Sequence, residues 1–210
     1  MKARDSKSRI PVKGDRGFKS HPLRWESFMR CFLAVDIPEH VKKNLLRVIQ
    51  NMKKELTGIK WVEAHNLHIT IKFLGELEDE KVLSLLELLE RRLSHSGTFT
   101  LKLKSFGFFP DIRRPRVFWV GVEDRGGNLK KLWKEIENIV PKFGVSRDNR
   151  SFTPHLTLAR IKKPVKIKKS SLEELKEFQG SSFNVDTLVF YKSVLTSKGP
   201  IYTKIKEITL

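Results

Sequence analysis

One three-residue pattern occurs twice in the chain, and this repeat constrains the fold more than any other feature. Residues 68–70 are His-Ile-Thr and residues 155–157 are His-Leu-Thr, 87 positions later, and apolar residues of strand character follow both. Because residues i and i+2 of a strand share a face, each triplet presents an imidazole and a hydroxyl on one side. The repeat therefore predicts two similar halves whose strands face each other across a cleft.

The apolar periodicity around the triplets predicts a mixed order of strands and helices. Strands are expected over 31–36, 67–73 (closed by Gly75), 99–106, 117–122, 155–160, 183–191 and 201–208. Helices are expected over about 41–52, over 79–93, after an Asn128 cap, and at a Ser171–Glu174 capping box. Since several neighbouring strands have no helix between them, we predict an α+β fold with mainly antiparallel sheet.

Charge and composition narrow the kinds of partner. The 210 residues carry 42 Lys and Arg against 24 Asp and Glu, a net charge of +18, which favours a polyanion such as nucleic acid. The single cysteine, Cys31, excludes a disulfide framework and a Cys-rich zinc module. No apolar run is long enough for a membrane span, and the N-terminus does not resemble a secretory signal. We expect a cytoplasmic protein with no membrane partner.

The first 30 residues differ from the rest of the chain. They carry nine Lys or Arg against three acidic residues, and their apolar positions show no helical or strand period. We interpret residues 1–28 as a basic, flexible N-terminal arm and residues 29–210 as the folded domain. The arm either adds salt-sensitive contacts to phosphates or only increases solubility, and the sequence does not decide between these.

The paired triplets suggest acid–base chemistry on a phosphoryl group. With a pKa near neutrality, one of His68 and His155 can be neutral while the other is protonated, so that one accepts a proton and the other donates one. The Thr70 and Thr157 hydroxyls can donate hydrogen bonds to non-bridging oxygens. Arg160 adds a forked cation suited to phosphate, provided that its strand ends or twists there, since regular alternation places it opposite His155.

Longer segments around these residues resemble a known family. Residues 66–76 and 152–160, with the opening segment 30–36 and the closing segments 193–195 and 199–202, are similar to the two-histidine phosphoesterases. The nearest branch is the RNA 2′,3′-cyclic phosphodiesterases, also called 2′-5′ RNA ligases. The resemblance covers about residues 29–210, with the motifs in the expected order.

The resemblance implies a bilobal fold with two pseudo-twofold-related lobes, outer helices and a central groove. It also implies hydrolysis of a terminal 2′,3′-cyclic phosphate on RNA to a 2′-phosphate, with no metal and no other cofactor. The reverse reaction would form a 2′-5′ linkage without ATP. By the same analogy His68 is the acid that protonates O3′ and His155 is the base that activates water, although the sequence itself does not assign these roles.

Several alternatives stay open at this stage. The same groove would serve a nucleotide- or RNA-binding module without turnover, or a ligase acting on cleaved tRNA halves. A monomer is expected. Because His65 and His68 would lie on opposite faces of one strand, we do not predict a metal site there. The residues that either contact RNA or serve only core or surface roles are Trp61, Trp119, Trp133, Lys162, Lys163, Lys166, Lys168 and Lys169.

Overall fold

This computed structural model describes residues 28–163, 165, 167–168, 173, 175–176, 178, 180–197 and 199–210. The predicted arm, apart from its last residue, and the predicted capping box at Ser171 and Glu174 lie outside the described residues, as do Lys166 and Lys169. In the described part of the chain, no helix is both long and apolar enough to cross a membrane.

The described residues form a nine-stranded sheet and three α-helices. The strands are β1 Phe28–Asp36, β2 Lys60–Trp61, β3 His68–Glu78, β4 Phe99–Phe109, β5 Val117–Glu123, β6 His155–Arg160, β7 Ser182–Val185, β8 Thr187–Leu195 and β9 Pro200–Thr209. The helices are α1 Glu39–Glu55, α2 Asp79–Leu93 and α3 Asn128–Ile139, with 3₁₀ turns at Ala64–Asn66 and Val140–Phe143. The α+β class is confirmed.

The strand order divides the sheet into two halves of four strands. The order is β7-β4-β5-β6-β3-β1-β8-β9, with β2 paired to β6, and all pairings among the described strands are antiparallel. The halves meet where β6 pairs with β3, through Ile69 and Leu156. The middle residues of the two repeated triplets therefore join the halves, so the triplets lie on neighbouring, paired strands of one sheet and not, as predicted, on strands that face each other across a cleft.

The core lies on one face of the sheet, together with the helices. Alternate residues of β1, Leu33 among them, pack in one cluster with the buried faces of α1, α2 and α3. The residues between them point the other way: Phe32 packs with Val189, Tyr191 and Tyr202 in a separate small cluster. The helices are thus outer, and the opposite face of the sheet remains available for a groove.

Several predicted strand boundaries are wrong: β1 begins three residues earlier than predicted, at Phe28, and β4 ends three residues later, at Phe109. β3 continues past Gly75 to Glu78, where α2 begins at the next residue. The strand predicted over 183–191 is two strands, β7 and β8, separated at Asp186 and paired to opposite halves of the sheet, β7 with β4 and β8 with β1. Periodicity along one stretch of chain does not report a change of partner strand, so it merged the two.

The cap predicted for α3 is also wrong. Asn128 is the first helical residue, and Gly127, with φ of 66°, precedes it in the cap position. The Asp124 carboxylate instead accepts hydrogen bonds from the backbone N–H groups of Asn128, Leu129 and Lys130. These are amides that a helix leaves without internal partners, so Asp124 takes the role assigned to Asn128.

A buried ion cluster ties β3 to α3 and to the segment before β6. Lys72 is 2% exposed, and its Nζ lies 2.7 Å from Glu137 Oε1 and 3.1 Å from Asp148 Oδ2. It also donates a hydrogen bond to the Ser146 carbonyl (2.9 Å), and Glu137 Oε2 accepts one from the Asp148 amide (2.9 Å). The cluster fixes the segment that leads into the second triplet.

We expect Lys72→Met to destabilise the fold by roughly 3–5 kcal/mol, because it leaves the Glu137 carboxylate buried without its cation. Urea unfolding measures this, and adding Glu137→Leu should recover most of the loss. The control is Lys81→Met, which removes an exposed pair with Glu78 and should cost about 0–1 kcal/mol. Equal stability of the two single variants would contradict this account.

Candidate active site

The strand register brings the two triplets into one site. Since Ile69 pairs with Leu156 in antiparallel strands, His68 lies across from Thr157 and Thr70 lies across from His155. All four side chains line one cavity of about 590 Å³, hereafter the first cavity. The structure therefore brings together residues 87 positions apart in the sequence.

Both imidazoles are oriented by the same type of hydrogen bond. His68 Nδ1 donates to the Asn66 carbonyl (2.7 Å), and His155 Nδ1 donates to the Thr153 carbonyl (2.9 Å). A carbonyl oxygen can only accept, so the proton of each neutral ring resides on Nδ1. Nε2 of each ring is left for proton exchange with a ligand, and His68 Nε2 lies 3.1 Å from the Thr70 hydroxyl.

Aromatic rings hold each imidazole in place. The His68 ring lies 4.9 Å from Phe32 and 5.3 Å from Tyr202, centroid to centroid, the latter edge-on. His155 meets Phe109 edge-on at 5.0 Å. This packing restricts rotation of both rings, so that the hydrogen bonds at Nδ1 define where Nε2 points.

The surroundings of His68 favour its neutral form. Burial lowers the pKa of His68, and the positive charge of Arg160 lowers it further. The hydrogen bond to the Asn66 carbonyl and the negative charge of Asp36 oppose this lowering but do not outweigh it. His68 therefore loses its proton more readily than an exposed histidine does, and a bound anion would favour its protonation.

Arg160 reaches the cavity through a β-bulge. Thr157 and Ala159 pair with consecutive residues of β5, so Leu158 is an extra residue in β6. Leu158 and Ala159 are both buried, and the alternation of faces resets after them. Arg160 consequently returns to the face of His155 and lines the first cavity. This is the twist that its assignment required.

The same bulge occurs in β3 and exposes a phenylalanine that sequence reasoning missed. Ile71 and Lys72 are both buried there, so Phe73 lies on the groove face, 62% exposed, and lines the first cavity. Phe73 precedes Arg160 by 87 positions, the spacing of the triplets. That spacing was the signal that could have identified it.

Other candidates divide between the cavity and its surroundings. Trp61 lines the first cavity, whereas Trp133 lies elsewhere, stacked on Phe152 at 5.2 Å.

His65 belongs to a 3₁₀ turn and lines the first cavity together with His68, so the predicted placement of these two histidines on opposite faces of a strand is wrong. The described residues contain no group of three His, Cys, Asp or Glu arranged to hold a metal ion. The described residues that line the first cavity do not include Lys162, Lys163 or Lys168.

Comparison with known proteins agrees with this geometry. The LigT-like phosphoesterase family matches the chain twice, over residues 35–119 and 120–202. An RNA 2′,3′-cyclic phosphodiesterase of Methanocaldococcus jannaschii is 40% identical over 181 residues, covering 85% of this chain and 99% of the relative. The Thermotoga maritima protein of that name is 36% identical over 179 residues, covering 85% and 94%.

Solved structures lead to the same family. A crystal structure of a Thermus thermophilus protein matches with a TM-score of 0.75 at 30% identity, covering 87% of this chain and 98% of that one. Escherichia coli LigT complexed with 3′-AMP matches with a TM-score of 0.70 at 28% identity, covering 88% and 99%. The fold and the paired triplets define a phosphoesterase of the two-histidine class. The chain belongs to the LigT-like phosphoesterase family, and the resemblance noted in the sequence is confirmed.

We expect Arg160→Met to raise the pKa of His68, because it removes a nearby positive charge, and Asp36→Asn to lower it, because it removes a negative one. The measurement is an NMR titration of the His68 ring protons, with the resonance assigned by its loss in His68→Gln. Arg47→Ala, on the exposed side of α1, is the charge-matched control for Arg160→Met and should leave the curve in place. Shifts in the opposite directions would contradict the electrostatic account.

Proposed function

We propose that this protein hydrolyses the 2′,3′-cyclic phosphate at the end of an RNA to a 2′-phosphate, without a metal or other cofactor. The observation that carries the proposal is the placement of two imidazoles in one cavity, both with Nδ1 bound to a carbonyl and Nε2 left for exchange. Such a pair supplies one proton acceptor and one proton donor to a single phosphorus atom.

The reaction needs a proton acceptor on one side of the phosphorus and a proton donor on the other. In our assignment, His155 Nε2 accepts a proton from water as the water oxygen attacks phosphorus opposite O3′. The P–O3′ bond breaks, and protonated His68 donates its Nε2 proton to O3′. The product carries a 2′-phosphate and a free 3′-hydroxyl. Binding of the anionic phosphate offsets the lowered pKa of His68 and so favours the imidazolium that this role requires.

The remaining side chains of the site are suited to the charge that develops. The Thr70 and Thr157 hydroxyls lie across the sheet from the opposite histidines, where they can donate to the non-bridging oxygens. Arg160 adds a permanent positive charge on the same face. These three groups stabilise the negative charge on the non-bridging oxygens, which grows as the water oxygen bonds to phosphorus.

The relatives support RNA as the substrate. Curated relatives 30–40% identical to this chain are named RNA 2′,3′-cyclic phosphodiesterases. Escherichia coli LigT has been crystallised with 3′-AMP and with phosphate. The net charge of +18 suits a polyanionic strand. We further propose that tRNA fragments are among the substrates and that the protein acts in the cytoplasm as a monomer, with the arm of residues 1–28 outside the folded domain.

The purified protein should convert an RNA ending in a 2′,3′-cyclic phosphate to the 2′-phosphate in excess EDTA. His68→Ala and His155→Ala should each lower the rate by roughly 10²–10⁴. Thr70→Val or Thr157→Val should lower it by roughly 10²–10³, since each removes a donor to the developing charge. Product mapping by mass spectrometry, with the 2′- and 3′-phosphates separated by chromatography, gives the regiochemistry.

The exposed His95→Ala is the matched control for that series and should retain full activity. Loss of the reaction in EDTA, or full activity of either histidine variant, would contradict the proposal. Tight binding of a nucleoside monophosphate without turnover of any cyclic substrate would favour the binding-module alternative.

A substrate with sulfur in place of O3′ separates the two histidine roles. A thiolate leaves without protonation, so His68→Ala should recover most of its lost rate with the 3′-thio cyclic phosphate. His155→Ala should remain slow, because activation of water is still required. Rates of both variants on the oxygen and sulfur substrates give the comparison. Recovery of His155→Ala instead would exchange the two assignments.

A further inference from the structure

The two histidines lie between two cavities that the 87-residue repeat relates. A second cavity, of about 920 Å³, adjoins the first, and both have Thr70 and His155 in their walls. Residues 60–63, 65 and 66 line the first cavity, and residues 147–153, which include their counterparts 87 positions later, line the second. The chain that leads into each histidine is therefore arranged in the same way in both halves.

The strand beside each histidine is not equivalent, because the two registers differ by two residues. In the first half, Asp36 at the end of β1 pairs with His68. The counterpart of Asp36 is Glu123, 87 positions later, but in the second half it is Gly121 that pairs with His155. Directly paired residues of neighbouring strands share a face, with Cβ atoms about 5 Å apart. A carboxylate therefore adjoins His68, whereas a residue without a side chain adjoins His155.

Two groups hold the Asp36 carboxylate in place. The Tyr191 hydroxyl donates a hydrogen bond to Oδ1 (2.6 Å), and Lys204 Nζ lies 2.7 Å from Oδ2. Burial and the hydrogen bond to Asp36 raise the pKa of Tyr191, so this hydroxyl stays protonated and continues to donate. Hydrogen bonds to Asp36 and Glu207 raise the pKa of Lys204, which keeps its positive charge. Each carboxylate oxygen thus has a partner that fixes its position beside His68.

The equivalent carboxylate of the second half has other partners. Glu123 lies two residues beyond Gly121 along β5, and it forms ion pairs with Lys104 (3.2 Å) and Arg125 (3.5 Å). Both of these cations are largely exposed. Glu123 is therefore engaged at the surface, and its position relative to His155 does not reproduce that of Asp36 relative to His68.

Several elements bring charged or titratable groups towards His68. They are Asp36 of β1, Lys60 of β2, Glu63 and His65 of the segment after β2, His155 and Arg160 of β6, Tyr191 of β8, and Tyr202 and Lys204 of β9. Burial lowers the pKa of His68, the positive charge of Arg160 lowers it further, and the negative charge of Asp36 opposes both. Asp36 is thus a charged group that favours the imidazolium.

We propose that Asp36 is a positioning residue of the reaction, an inference that rests on the proposed function. Its carboxylate stabilises the imidazolium of His68, which makes His68 the proton donor to O3′ and leaves His155 as the acceptor of the proton from water. Asp36 is not among the residues that line the first or the second cavity, so it acts through the imidazole and does not contact the substrate. The two histidines divide the roles because Asp36 adjoins one of them and Gly121 the other.

The test compares two leaving groups in Asp36→Asn, whose amide oxygen can still accept the hydrogen bond from Tyr191. The probes are a dinucleotide that ends in a 2′,3′-cyclic phosphate and the same dinucleotide with sulfur in place of O3′, which leaves without protonation. At about pH 8, the variant should lose about tenfold in kcat/KM on the oxygen substrate, because loss of the negative charge lowers the pKa of His68. The loss should shrink at lower pH, where His68 is protonated in both proteins. The rate on the sulfur substrate should stay within about twofold.

Two further variants complete the comparison. Glu123→Gln makes the same change of carboxylate to amide at the counterpart position and should leave both rates in place. Asp36→Glu keeps the charge and should recover most of the rate on the oxygen substrate. An equal loss on both substrates in Asp36→Asn would show a merely structural role and overturn the inference, and so would full activity of that variant on the oxygen substrate at about pH 8. If the unmodified protein hydrolyses neither probe, it is the proposed function that is overturned.

Discussion

The whole site depends on the pairing of Ile69 with Leu156. These residues join two halves of a sheet through strands that otherwise pair within their own halves. Both side chains are fully buried, and a shift of one residue would turn the triplets over and bury the imidazoles. The apolar middle residue of each triplet therefore fixes the register, and the register places each histidine across from the threonine of the other half.

Two equivalent bulges then give the halves different chemistry. Each inserts one residue three positions after the histidine, and the side chain two residues further on lies on the groove face. In β6 that side chain is Arg160, and in β3 it is Phe73. The residue before each turns inward: Ala159 simply fills the core, whereas Lys72 requires Glu137 and Asp148 as partners. One geometry thus places a cation at the groove in one half and anchors the 146–153 segment in the other.

The sequence predicts the parts of this site that repeat and misses those that depend on distant pairing. Local periodicity predicts the triplets, the limits of α2 and of β6, and the α+β class, because residues close in the sequence determine the faces of strands and helices. The two-residue strand β2 is too short to show a period. Strand pairing determines where β7 ends and β8 begins, and it also determines the bulges before Phe73 and Arg160. The residues near these positions in the sequence do not indicate which strands will pair there.

The pseudo-twofold relation has a consequence for the direction of the reaction. A pair of histidines equivalent by symmetry can exchange the roles of acid and base, so the two imidazoles alone do not orient a substrate. The walls do differ: His65 and Asn66 on one side correspond to Phe152 and Thr153 on the other, and Glu63 corresponds to Arg150. An acidic residue in one wall where the other carries a cation makes the two sides of the histidine pair electrostatically different. The charge of the walls is therefore a feature that can orient a substrate, because the paired triplets themselves are equivalent from both sides.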